Sequence, residues 1–179
     1  IITLPYPRSW SDALETTRRI AVQIGRGEAG RVKTAAAERR MQALADRMPP
    51  YTLLYLRPSG GTAGKGTYVD DLITRLGLRN LAAEHGDLGW GRFPLERLVT
   101  SPPDIFLLGY FDQARSPAAS AYGRHPLLRT ILDATPSISV PTRTWGCGGL
   151  ELVDAAEQIV TQIGGLGLAV GPRDRAERD

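Results

Sequence analysis

One cysteine and two histidines stand in 179 residues, and that scarcity removes several classes of site at once. An intrachain disulfide needs two cysteines, and a closed zinc site would have to be completed with carboxylates. The redox compartment stays open. Nowhere does an apolar run approach the roughly 20 residues that span a bilayer. Charge of one sign is not in great excess either: 22 Lys and Arg face 19 Asp and Glu, a formal +3. The excess is spread rather than striped, which argues against nucleic acid as a partner. The first residues, Ile1-Ile2-Thr3-Leu4-Pro5, show neither an initiator methionine nor a signal peptide, and a processed or truncated chain is expected. What is present is 42% hydrophobic residues, enough for the core of one domain or one domain with an appendage.

The stretch from Tyr51 to Gly77 reads as a complete strand, loop and helix. Thr52-Leu53-Leu54-Tyr55-Leu56 is a short apolar run of the kind that forms a strand buried on both faces. Arg57 to Gly66 breaks it with proline and glycines, which supply fixed or positive φ and close backbone approach. Thr67 with Asp70 forms a capping box, and Val69, Leu72, Ile73 and Leu76 mark the apolar face of a helix that Gly77 closes.

Similar punctuation organises the rest. Ile1 to Pro7 reads as a strand end and turn. Ser9 and Asp12 form another capping box, opening a helix whose face is Trp10, Ala13, Leu14, Thr17, Ala21 and Ile24, stopped by Gly25. A longer amphipathic helix is predicted over Arg31 to Met48, ended by Pro49-Pro50. Glu84 to Gly91 reads as a loop. Pro94 suits the first position of a short helix with Leu95, Leu98 and Val99 turned inward. Ile105-Phe106-Leu107-Leu108 and Ser137-Ile138-Ser139-Val140 are two more strands, His125-Pro126 opens a helix between them, and Leu152 to Ile163 is the last helix. Strands alternating with helices predict an α/β fold: a three-layer, Rossmann-like lobe with a mostly parallel sheet, preceded by linker helices.

In such sheets, ligands bind at the carboxyl ends of the strands. The three strands would place Arg57, Gly60, Gly61, Tyr110, Phe111, Arg143 and Trp145 on one rim. These are planar surfaces and cations without a nucleophile–base pair, which suits binding better than catalysis. Trp90, in a Gly-Trp-Gly context within a polar loop, is a further contact candidate. Gly64-Lys65 invites a phosphate-loop reading, but Ser59 stands where the first glycine belongs and Gly66 where Ser or Thr should follow the lysine. Cys147 reads as a packed or bystander cysteine rather than a reactive thiol.

The runs Gly-Thr-Tyr-Val-Asp-Asp-Leu-Ile, Leu-Gly-Leu-Arg-Asn-Leu-Ala, Trp-Gly-Arg-Phe-Pro-Leu-Glu-Arg-Leu and Pro-Pro-Asp-Ile-Phe-Leu-Leu, with His125-Pro126-Leu127 and Trp145-Gly146-Cys147-Gly148 after them, carry a resemblance in their order and spacing. Over about residues 51 to 163 the chain resembles the carboxyl-terminal lobe of class III periplasmic solute-binding proteins that feed iron-siderophore, haem and cobalamin ABC importers. That family is a two-lobed clamp joined by a long helix, with ligand between the lobes. The resemblance implies interlobe linker helices over 1–50, a C-terminal ligand-binding lobe over 51–164 and a charged tail, expected to fray, over 165–179. It implies that Trp90 and Trp145 are exposed beside Arg57, and that Glu96 is the carboxylate that docks on the permease. Pro94 departs from the small capping residue that many members carry before that glutamate.

The expected function is therefore substrate binding for an ABC importer of a metal chelate such as an iron-siderophore or corrinoid, without enzymatic activity and without a cofactor or metal of its own. The implied partners are the chelate, the permease transmembrane dimer and an N-terminal lobe absent from this chain. The implied location is periplasmic, or extracellular on a lipid anchor, the signal peptide lying outside the chain. The alternative is a nucleotide- or phosphate-binding α/β enzyme domain using the Gly60–Thr67 loop.

Overall fold

The computed structural model describes residues 3–111, 122–146 and 148–168. Its centre is a parallel sheet of β1 (Thr52–Leu56), β3 (Arg79–Asn80), β5 (Ile105–Gly109) and β6 (Ser137–Val140), in the order β3-β1-β5-β6. All three predicted strands are present at or within a residue of the expected bounds. A separate antiparallel ribbon pairs β2 (Gly61–Ala63) with β4 (Trp90–Arg92). Sequence reading placed both in loops, because three-residue glycine-bearing strands carry no alternation to detect.

Period-two alternation splits the core into two faces. Leu53, Tyr55, Ile105, Leu107, Ile138 and Val140 point into one cluster with Trp10, Leu14, Met41, Leu72, Ile73 and Ile159. Leu54, Leu56 and Phe106 point into the other, with Leu81, Phe93, Leu98 and Leu128. The first cluster is covered by α1 (Trp10–Gln23), α2 (Gly27–Gln42), α3 (Tyr68–Arg75) and α7 (Leu152–Gly165), the second by α4 (Leu81–Glu84), α5 (Leu95–Thr100) and α6 (Pro126–Ala134). This is the predicted three-layer α/β arrangement.

The two leading helices form a hairpin. Ser9 and Asp12 make the reciprocal capping box at the start of α1. At its end Gly25 has φ +70°, and the amides of Gly25 and Arg26 donate to the carbonyls of Val22 and Ala21, the two bonds of a Schellman motif. The second helix starts at Gly27 and ends at Gln42, earlier at both ends than the predicted Arg31–Met48. Gly30 explains the early start: a Cβ there would collide with Ala21 of α1, so glycine permits the close crossing despite its poor helix propensity. At the far end, Met48 instead donates its amide to the carbonyl of Leu76. Arg40 of α2 bonds Asp154 and both carboxylate oxygens of Glu157 on α7 at 2.6 to 2.9 Å, which ties α2 to α7.

Smaller differences are local. Pro94 is the N-cap of α5 rather than its first residue, and Val99 is exposed while Leu98 is buried and Leu95 half-buried. Thr3 to Pro7 form no strand, and the expectations for Cys147 and for most of the tail fall outside the described residues.

Candidate ligand-binding site

The chain runs from β1 to β3 on one side of the sheet, then crosses to β5 on the other. The strand order therefore reverses between β1 and β5, and the crevice at their carboxyl ends is where such sheets bind ligands. Arg57 leaves β1 at this point and Tyr110 leaves β5.

The Arg57 guanidinium carbon lies 4.3 Å from the centre of the Tyr110 ring, 5.0 Å from that of Trp90 and 5.9 Å from that of Tyr55, within reach of cation–π attraction. Its Nε donates to the Tyr55 hydroxyl at 3.1 Å. Tyr110 has φ +64°, a left-handed conformation that a bulky residue adopts at a cost of about 1–3 kcal/mol and that clusters at functional sites. Trp90 is held by the ribbon, where Ala63 pairs with Trp90 and Gly61 with Arg92. Around it, Tyr68 lies 5.4 Å away and Tyr55 6.1 Å, both edge-on, and Tyr6 lies 6.1 Å from Tyr68. Tyr6 is exposed, clamped between Pro5 and Pro7, while Trp90 is 37% exposed.

Burial dominates the titration of the phenols. It pushes Tyr55 up to about 12 against the opposing pull of Arg57, and it raises Tyr68, with Tyr6 and Tyr110 adding to the effect. Burial works against the Arg57 cation, yet the Tyr55 hydroxyl and the surrounding tyrosines hold it above its ordinary value. Tyr55 and Tyr68 are therefore neutral phenols, and Arg57 keeps its charge.

Trp145 corrects an expectation: its ring is fully buried, not exposed. The single turn Thr142–Thr144 after β6 folds the indole back under the rim. It lies 5.4 Å from Tyr55, and its carbonyl accepts the Tyr68 hydroxyl at 2.7 Å. Trp145 supports the rim from beneath. Arg143 is exposed and lines a polar groove of about 410 Å³ with Asp154, Glu157, Gln158 and Gln162. Gly60 and Gly61 shape the turn instead of offering open surface. Gly61's carbonyl accepts the Arg57 amide and Gly60's accepts the Phe93 amide, while Gly60, at φ +82°, has no room for a Cβ against Tyr122. Phe111 is half-buried and Glu96 exposed. His125 caps α6, its Nδ1 accepting the Leu127 amide.

Tyr6, Tyr55 and Tyr68 were not anticipated as parts of this site. One signal was available: a tyrosine inside the apolar run Leu53 to Leu56 must place its hydroxyl against a partner.

The Gly64–Gly66 loop holds no open cradle for phosphate. The Gly64 amide donates to Gly89, that of Lys65 to Asp87, and that of Gly66 to the Asp70 carboxylate. The amides that such a loop would aim at an anion are already engaged. ATP at millimolar concentration is expected to show no saturable binding to this chain, and Lys65→Ala is expected to change nothing in that titration; ATP binding lost in the Lys65 variant would contradict this. Among the described residues no helix is long and apolar enough to cross a membrane, and no group of three His, Cys, Asp or Glu is placed to hold a metal ion.

No family model matches the sequence, and no curated protein is similar to it in sequence. Solved structures are similar. The periplasmic haem-binding protein RhuT from Roseiflexus sp. RS-1, in apo form, superposes with a TM-score of 0.73 at 22% identity, over 88% of this chain and 64% of that one. The periplasmic haem-binding protein HutB of Vibrio cholerae gives a TM-score of 0.74 at 18% identity, over 90% and 66%. An ABC-type Fe3+-hydroxamate transport system protein from Saccharomonospora viridis gives 0.71 at 18%, over 87% and 56%. This chain has the lobe fold of these periplasmic binding proteins, and it spans no more than about two thirds of their length.

Proposed function

We propose that this chain supplies the ligand-binding C-terminal lobe of a substrate-binding protein for an ABC importer of a metal chelate, such as an iron-siderophore, haem or a corrinoid. The observation that carries the reading is the cation–aromatic face of Arg57, Trp90 and Tyr110 at the point where the strand order reverses. A large, partly apolar and often anionic chelate offers flat surface for Trp90 and Tyr110 and acceptors for Arg57. The structural neighbours support it: besides the two haem-binding proteins and the hydroxamate system, they include the periplasmic vitamin B12 binding protein BtuF of Vibrio cholerae.

In this reading α1 and α2 lead in from a first lobe that closes over a face already able to hold the ligand. Capture involves no chemical conversion of the ligand. The setting is periplasmic, or extracellular on a lipid anchor. The test is equilibrium dialysis of the chain against haemin, a ferric hydroxamate and cyanocobalamin. Saturable retention of one of them, weakened by Arg57→Gln, is the expected result; equal passage of all three contradicts it.

Glu96 is assigned to the permease. It stands in the first turn of α5 and projects into solvent while Leu98 anchors the helix in the core. Rim charges mainly set encounter and orientation rather than affinity. In a transport-competent protein carrying this lobe, Glu96→Lys is expected to leave chelate affinity within about threefold while lowering uptake into reconstituted vesicles by about tenfold or more. Undiminished uptake with the lysine variant would refute the assignment.

A further inference from the structure

Arg57 is half-buried without a counterion: among the described residues no carboxylate pairs with it, and its only side-chain hydrogen bond is Nε to the Tyr55 hydroxyl. A cation drawn partly out of water without an anion is costly unless something later supplies one. The rings of Tyr110 and Trp90 flank the guanidinium, and the Tyr55 hydroxyl accepts the hydrogen bond from Nε–H. Among the described residues the two Nη groups have no hydrogen-bond partner.

Tyr55 is placed for this role by its surroundings. The residue is fully buried, and its ring packs on Trp145. Gly109 faces it: a Cβ at that position would lie 2.6 Å from the Tyr55 hydroxyl and 2.8 Å from the ring carbon that bears it. Any side chain at 109 would therefore displace the phenol. A neutral hydroxyl also orients the guanidinium without cancelling its charge, which an Asp or Glu in the same place would do.

We propose that Tyr55 is a positioning residue: seated in the space left by Gly109, its phenol fixes Arg57 so that the two Nη groups meet paired oxygens of an anionic ligand as a rigid fork. This rests on the reading of the face as a ligand-binding surface, and adds what orients the cation and which ligand group it meets. Arginine in a fixed plane matches a two-oxygen anion in a way that a lysine point charge cannot.

The test uses the whole chain and small ions. Trp10 and Trp145 are buried, so Trp90 carries the fluorescence open to collisional quenching, with Trp90→Phe as the blank. Iodide is expected to quench Trp90 several-fold better than caesium because of the adjacent cation. Acetate, a two-oxygen anion, is expected to suppress iodide quenching about threefold more than chloride does at equal ionic strength. Arg57→Lys keeps the charge and should keep the iodide preference but lose the acetate advantage. Tyr55→Phe, which removes one hydroxyl, and Gly109→Ala, which crowds the phenol, should also lose the acetate advantage although Arg57 is intact. Thermal unfolding of each variant confirms that it is folded.

An acetate advantage that persists in folded Tyr55→Phe, or none in the unaltered chain, overturns the proposal. The two ideas fail separately. If a chelate binds and Tyr55→Phe changes neither its affinity nor the acetate effect, only the positioning role falls. If the acetate pattern holds and no chelate binds, the chelate reading falls and the role of Tyr55 stands.

Discussion

Trp145→Ala is expected to cost about 3–5 kcal/mol of folding stability, the range for emptying a large aromatic from a packed core. Measured by chemical denaturation, that is a large share of the roughly 5–15 kcal/mol available to a domain. The size follows from position: the indole is fully buried and packs at a tilt against Tyr55, 5.4 Å between ring centres. Trp145→Phe should recover a good part of the loss. The damage should also spread to the rim, because Tyr55 and Tyr68 both pack around Trp90. A loss below about 1 kcal/mol for the alanine variant would mean that the ring is at the surface after all.

Trp90→Ala is expected to do the opposite: to leave stability within about 1 kcal/mol and weaken chelate binding by about thirtyfold. Trp90 meets Tyr55 and Tyr68 in edge-to-face contacts, has Arg57 over its ring and is 37% exposed, so removing it opens a gap to solvent rather than a closed core cavity. It does remove the largest flat surface beside Arg57 and one of the rings that flanks the cation. Denaturation and dialysis on the same preparation separate the two effects. A variant that is destabilised by several kcal/mol while binding as before would reverse the roles given to the two tryptophans.

Those two indoles also mark how far the sequence could be read. β1 and β5 were legible as short apolar runs bounded by proline, glycine or a polar cluster, as burial on both sides of the sheet demands, and β6 as an alternating Ser-Ile-Ser-Val segment whose serines are exposed. Arg57 and Tyr110 were legible as residues at the carboxyl ends of the sheet because they directly follow β1 and β5, whereas Arg143 lines the groove beside α7. Depth was not. A single turn at Thr142–Thr144 decides whether Trp145 faces solvent or the core, and three residues carry no pattern that reports it. The β2–β4 ribbon was hidden because its pairing is tertiary: Gly61-Thr62-Ala63 and Trp90-Gly91-Arg92 have neither length nor alternation, and each becomes a strand only against the other. The early start of α2 was hidden for a related reason. Gly27 and Gly30 lower helix propensity, and the close approach of Gly30 to Ala21 that favours them is visible only in three dimensions.

Tyr55 shows the same division. Its place in an apolar strand predicted burial, which the structure bears out; its hydroxyl, meeting Arg57 two residues later, turns a core residue into part of the site. A tyrosine among leucines near the carboxyl end of a strand is a usable hint, since leucine would fill the same volume without requiring a hydrogen-bond partner.

The central claim is that the Arg57–Trp90–Tyr110 face binds a metal chelate, and tryptophan fluorescence reads that face directly. The chain and its Trp90→Phe variant would be titrated in parallel with haemin, a ferric hydroxamate and cyanocobalamin, the variant correcting for absorption by the coloured ligand. The account predicts saturable quenching by one chelate in the unaltered chain that is lost in Trp90→Phe and weakened about tenfold or more in Arg57→Gln. Quenching identical in the chain and in Trp90→Phe for all three chelates would contradict it.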